Sequence, residues 1–194
     1  MNLDNPEPTK VAIMEATYEA LNKHGYSSLT IQDIADEFDR SKSLLYYHYE
    51  SKETLLADFL EYTLQEFISE FEVGEEEPSI RLERLLDRLV PESVDTDSYP
   101  IQIALLELRA QAPHTEVYRE RYSEVDTVLT ETIEEILQQG IERGEFQDVD
   151  AESEAQLLVS MIYGTRVRRF TTDEFPVEQN REMLFTHVDR QLLV

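Results

Sequence analysis

Residues 28–56 read SLTIQDIADEFDRSKSLLYYHYESKETLL, and the fold turns on this stretch. Thr30 stands as an N-cap with Asp33 three residues on, close to a capping box, and opens a short helix. Ile31, Ile34, Ala35 and Phe38 then fall at i, i+3, i+4 and i+7, one apolar face of an α-helix. A turn at Asp39–Ser41 follows, with Ser41 placed to cap a second helix over Lys42–Tyr49. That helix buries Leu45 and Tyr49, four apart, and leaves Lys42, Ser43, Tyr46, Tyr47 and His48 outside. A structural helix seldom spends its outer face on two adjacent tyrosines, a histidine and a lysine. A helix lying in a DNA major groove does.

Outward from this segment the chain reads as all-α. Residues 1–8 read as a frayed tail, and Thr9–His24 as a helix stopped by Gly25, a good C′ residue. Its Ile13, Ala16 and Ala20 share a face, which makes it the third helix of an N-terminal module over residues 1–52. Glu53 to Phe71 reads as a long amphipathic helix (Leu55, Phe59, Tyr62, Phe67, Phe71) leading into a helical body over residues 53–194. Within that body Glu72–Ser79 and Pro91–Pro100 read as loops, with helices at Ile80–Val90 and Ile101–Gln111, the second ended by Pro113. His114–Gly140 reads as a long helix with the stripe Val117, Val125, Leu129, Ile133, Ile136 and Leu137. Gly140 to Phe146 reads as a helix stop and turn, before final helices at Ala151–Phe170 and Glu178–Leu193. The total is about nine helices.

Composition narrows the function. The net charge is −25, from 42 acidic against 17 basic residues, a balance that ordinarily repels nucleic acid. All four lysines (Lys10, Lys23, Lys42, Lys52) lie in the first 52 residues. Such an acidic, lysine-poor composition resembles that of proteins from salt-in halophiles, where molar salt screens charge within a few ångströms; its other reading is an acidic mesophilic protein with a solvated face. The window Arg40–Tyr49 holds no acid and coincides with the proposed groove helix. No apolar run reaches membrane-spanning length, and Asp4 and Glu7 occupy the place of a signal peptide's positive charge, so a cytoplasmic protein is expected. Absence of cysteine excludes disulfides, thiol catalysis and thiolate metal sites.

The segment resembles the helix-turn-helix of the TetR/AcrR family of transcriptional regulators. The resemblance rests on Leu45-Tyr46-Tyr47-His48-Tyr49, the spacer Glu50-Ser51 and Lys52, with Gly25-Tyr26, Leu29-Thr30 and Ile34-Ala35 upstream. Asp39 stands where the family usually has Gly, and Leu44 where Thr, Ser or Ala is usual. Beyond Glu53 the likeness is one of helix number, helix length and the Gly-x-x-x-Gly turn at Gly140–Gly144. It implies a homodimer on a palindromic double-stranded DNA operator, most simply a repressor released by a small-molecule effector, with no cofactor.

Carried over residue by residue, Thr30 and Tyr46 bond phosphate oxygens and Lys52 pairs with phosphate beyond the helix end. Gln32, Lys42, Ser43, Tyr47 and His48 are the groove candidates, Lys42 suiting guanine and Gln32 adenine, while Arg40 serves either role. Thr30 has a second reading as a cap alone, and Tyr46 as a side chain packed on the following helix. Leu158, Ile162, Met183, Leu184 and Val188 are the dimer candidates, with intramolecular core as their other reading. An effector interior is expected from Tyr99, Ile103, Leu106, Tyr118, Tyr122, Tyr163 and Phe170, with Arg109 and Arg166 neutralising an anionic group. Asp33, Asp36, Asp39 and Glu50 are expected to take up cations at the DNA surface.

An enzyme is not expected. The four histidines (His24, His48, His114, His187) are scattered, and no HExxH, P-loop or GxGxxG occurs. The rival reading is a helical protein-interaction module of a halophile that binds no DNA.

Overall fold

A computed structural model describes residues 8–39, 41–72 and 76–194. The expected tail at 1–8 lies, but for Pro8, outside the described residues, as does Arg40. Nine α-helices occur among the described residues: α1 Pro8–Ser28, α2 Ile31–Glu37, α3 Lys42–His48, α4 Lys52–Glu72, α5 Pro78–Leu89, α6 Tyr99–Ala110, α7 Glu116–Arg143, α8 Ala151–Thr171 and α9 Val177–His187. A π-turn at Val188–Leu192 follows α9. The chain packs as two compact units, one holding residues up to Glu66 with Asp95–Ser123, the other Phe67–Val94 with Glu124–Val194.

The first unit is built on α1. Its buried residues Ile13, Met14, Ala16, Thr17, Ala20 and Leu21 keep one helical face, and both α2 and α6 pack on α1. Gly25 adopts φ 67° and ψ 167°, so the regular helix breaks there as the sequence predicts. Leu29, Ile34, Phe38, Leu45, Leu55, Leu56 and Phe59 close the core around it, joined by Ile101, Ala104 and Leu108 of α6 and Tyr118 of α7. The Tyr118 hydroxyl is buried close to that of Tyr26, and burial, then the neighbouring Tyr26, pushes its phenol above the ordinary tyrosine range.

The second unit is organised around α5, whose Leu82, Leu85, Leu86 and Leu89 are buried at i, i+3, i+4 and i+7. Both ends of α5 are satisfied by residues distant in sequence. Glu145 accepts from the Ser79 backbone N–H (3.0 Å) and hydroxyl (2.8 Å), placing a carboxylate at the positive end of the helix dipole. At the other end Arg181 Nη1 donates to the Val90 carbonyl at 2.8 Å, and Arg169 donates to that of Pro91. Leu129, Ile133, Ile136 and Leu137 of α7 supply the predicted stripe, and Ala155, Leu158 and Ile162 of α8 pack in the same core.

One boundary differs from the sequence reading in an instructive way. Gly140 does not stop α7; the helix runs to Arg143, and Gly144, at φ 72°, ends it. The Glu145 N–H reaches the Gly140 carbonyl (2.9 Å) and the Gly144 N–H that of Ile141 (3.0 Å), a Schellman arrangement. Gly140 is required for space instead. A Cβ there would stand 2.0 Å from Cδ2 of Phe146, whose ring is buried against the helix.

The dimer candidates need correction. Leu158, Ile162, Leu184 and Val188 lie inside the core of the second unit, and of the five only Met183 is exposed, at 60 %. The apolar side chains that α8 turns outward are their neighbours Leu157 (44 %) and Val167 (38 %), with Gly164 between them open to space. Leu157-Leu158 and Met161-Ile162 put apolar residues on two faces of α8, so periodicity alone does not say which face is inward.

Candidate nucleic-acid interface

Thr30 caps α2 with a full capping box. Its backbone N–H donates to Asp33 Oδ2 at 2.7 Å, and the Asp33 N–H donates back to the Thr30 hydroxyl oxygen at 3.2 Å. The Thr30 hydroxyl also donates to Asp33 Oδ2 at 2.6 Å, so its one proton is committed to the cap. These bonds hold the Asp33 carboxyl below the usual carboxylate range. Asp33 therefore serves the cap of α2.

Position 39 requires no glycine. Glu174 is the only described non-glycine residue with positive φ, so Asp39 sits in ordinary backbone space. Ser41 is the N-cap of α3, yet its hydroxyl bonds Ser43 Oγ (3.2 Å) and not the helix backbone. Leu44 is half-buried against the core of the first unit, which accounts for an apolar residue where a hydroxyl is usual.

The exposed face of α3 is as the sequence predicts. Leu45 and Tyr49 are buried, while Lys42, Ser43, Tyr46, Tyr47 and His48 are exposed. Tyr47 reaches 83 % exposure and stands edge-on to the His48 ring, centroids 5.5 Å apart. Tyr49 anchors the helix from below, donating to Asp58 Oδ2 at 3.1 Å; burial and that carboxylate push its phenol well above its ordinary range. His48 and Tyr49 share a shallow cleft with Lys10, Ile13 and Asp58.

Two of the groove candidates, Gln32 and Lys42, meet at Asp36, and the phosphate candidate Tyr46 joins them through Gln32. The Tyr46 hydroxyl donates to Gln32 Oε1 at 3.2 Å, Gln32 Nε2 donates to Asp36 Oδ1 at 2.8 Å, and the Lys42 ammonium pairs with that same Asp36 oxygen. Tyr46 thus bonds α2. The Lys42 bond, then that of Gln32, holds the Asp36 carboxyl below the usual range. Gln32 and Asp36 are four apart on one helix, a pairing readable in the sequence; the reach of Lys42 across the turn is not.

Lys52 is a joint of the fold. Its ammonium donates to the Leu29 carbonyl at 2.9 Å and sits 4.8 Å from the Tyr26 ring centroid, tying the start of α4 to the chain entering α2.

The effector candidates divide between the units. In the first, Tyr118 and Tyr122 are buried, Ile103, Leu106 and Arg109 half-buried, and Tyr99 is exposed at 45 %, outside any interior. The Arg109 guanidinium lies 4.8 Å from the Tyr122 ring centroid, and the Tyr122 hydroxyl donates to the Leu105 carbonyl at 2.9 Å. In the second, Tyr163, Arg166 and Phe170 are half-buried, and the Tyr163 hydroxyl donates to Asp126 Oδ1 at 2.7 Å. Among the described residues no cluster of His, Asp and Glu is placed to hold a metal, and no helix is long and apolar enough to cross a membrane.

Residues 13–59 match the family model for bacterial regulatory proteins of the tetR family. Residues 78–193 match that for the C-terminal part of BetI-type transcriptional repressors. The chain belongs to the TetR family of transcriptional regulators. A TetR transcription regulator from Haloarcula marismortui ATCC 43049 is similar over nearly its whole length: 36 % identity over 95 % of this chain and 98 % of that one, with a TM-score of 0.83. The TetR fold is also shared with a transcriptional regulator from Saccharomonospora viridis solved in complex with choline, at 21 % identity, 95 % and 97 % coverage and a TM-score of 0.76. An HTH-type transcriptional regulator of Mycobacterium tuberculosis is 28 % identical over 139 residues, 71 % of this chain; the match spans 65 % of that relative's length. The match to the tetR family model at residues 13–59 spans α2 and α3, and so includes the exposed face of α3.

Proposed function

We propose that this TetR-family regulator is a ligand-responsive repressor that binds a palindromic operator as a homodimer. The observation that carries the DNA reading is the exposed Lys42, Tyr46, Tyr47 and His48 on a helix whose opposite side, at Leu45 and Tyr49, is locked into the core. Division of labour at residue 52, DNA-binding before it and effector and dimer functions after it, accords with the two family matches, at 13–59 and 78–193.

One recognition helix covers few base pairs, and a two-fold pair covers two half-sites a helical turn apart. The outward strip of Leu157, Gly164, Val167 and Met183 is the proposed dimer surface, because an apolar strip of this kind calls for a partner and two copies can close on it symmetrically. Leu157→Glu with Met183→Glu is expected to leave the fold intact, shift the protein to monomer in sedimentation, and weaken operator binding at least tenfold. A double variant that sediments and binds as the parent does would place the interface elsewhere.

The effector is the least specified part of the function. Choline, held by the Saccharomonospora viridis protein, makes a quaternary ammonium the first class to test; release of operator DNA is the expected effect. The charge of −25, the few lysines and the likeness to the Haloarcula marismortui protein support a cytoplasm of high salt as the setting.

A further inference from the structure

We infer that Asp36, which the family motif does not mark and which is not placed to read a base, sets how this regulator reads DNA. It does so by fixing the Gln32 amide and holding Lys42. The inference rests on α2 and α3 facing the operator.

A free glutamine can turn either end of its amide toward a base and so distinguishes poorly. Here both ends are assigned. Asp36 is an ionised carboxylate that only accepts, so it must face the NH₂ group of Gln32, at 2.8 Å; the reversed amide would set oxygen against oxygen. The Tyr46 hydroxyl completes the arrangement by donating to Oε1 at 3.2 Å. Gln32 is left with one N–H and one lone pair. Adenine offers the complementary pair, N7 to accept and N6–H to donate. Tyr46 and Asp36 thus turn an adaptable side chain into a directed one.

The same oxygen of Asp36 takes the Lys42 ammonium. Lys42 and Asp36 are each 53 % exposed, so the pair is open to competition from phosphate and from dissolved ions. To reach DNA, Lys42 must leave a carboxylate it already holds. At low salt that exchange costs affinity; in high salt the internal pair and the DNA contact are screened together, and less is lost. A built-in competitor for one lysine flattens the salt dependence of binding without any captured cation.

The test uses the full-length dimer and an operator selected from random DNA by the parent protein. Affinities are measured for the parent, Asp36→Asn, Asp36→Ala and Tyr46→Phe, on that operator and on single-base changes through each half-site, across a series of KCl concentrations. Asparagine keeps the size of Asp36 but loses the charge, and its amide can meet either end of Gln32. Asp36→Asn is expected to bind all sequences several-fold more tightly at low salt, with a log–log salt slope steeper by about one per half-site. Asp36→Ala and Tyr46→Phe are expected to lose at least five-fold discrimination at the same one base pair per half-site, with melting temperatures unchanged. Full discrimination in Asp36→Ala overturns the positioning role, and an unchanged slope in Asp36→Asn overturns the hold on Lys42. A parent that selects no operator overturns the DNA assignment itself, before any variant is compared.

Discussion

Lys42→Ala is expected to lower operator affinity by about 1–3 kcal/mol, roughly 5–150-fold, while leaving thermal stability where it was. The stability half of that result follows from exposure: the side chain is 53 % exposed, and its one partner, Asp36, is as open as itself. The affinity half has two sources. A donor is lost from the first turn of α3, and the Asp36 carboxylate, left with Gln32 alone, keeps a negative charge that no lysine offsets. Measured by fluorescence anisotropy on operator variants, the loss should concentrate at one base pair per half-site. An equal loss on every sequence would show that Lys42 touches only phosphate.

The second large effect concerns folding. Gly140→Ala is expected to destabilise the protein by about 1–3 kcal/mol, an unusual cost for adding a good helix former inside a helix. The new Cβ would lie 2.0 Å and 2.4 Å from Cδ2 and Cε2 of Phe146, and that ring, 2 % exposed, cannot retreat without opening the core of the second unit. Phe146→Ala alone should cost about 3–5 kcal/mol. Because the clash needs both groups, the double variant should cost no more than Phe146→Ala alone, a strong departure from additivity in urea melts. Additive losses would show that the Gly140 contact is not tight.

These cases mark where the sequence is legible and where it is not. The pair α2–α3 is legible because cap, apolar spacing and an outward aromatic run all report on the same local geometry. Thr30, Leu45 and Tyr49 behave as their positions predict. The end of α7 is read wrongly because glycine has two uses. Gly144 serves for its positive φ and Gly140 for its missing Cβ, and only the position of Phe146 tells them apart. The faces of α8 are ambiguous for a similar reason: adjacent apolar pairs leave the choice between core and surface to tertiary packing. The roles of Lys42, Gln32 and Lys52 are legible as residue types but not as partners, since Asp36 and the Leu29 carbonyl come to them only through the fold. Asp33 and Asp36 have partners within the protein that the sequence alone does not assign to them together.

The central claim is that α3 places an outward face in the major groove of a symmetric site. Its most direct test is hydroxyl-radical footprinting of the full-length protein on DNA selected from its own upstream region, in molar KCl. The account predicts two protected half-sites about 10 base pairs apart, centre to centre and related by a two-fold axis, with protection lost in a Lys42→Ala, Tyr47→Ala variant of unchanged melting temperature. Absence of any specific footprint across a wide range of salt, or equal protection by that variant, would contradict it.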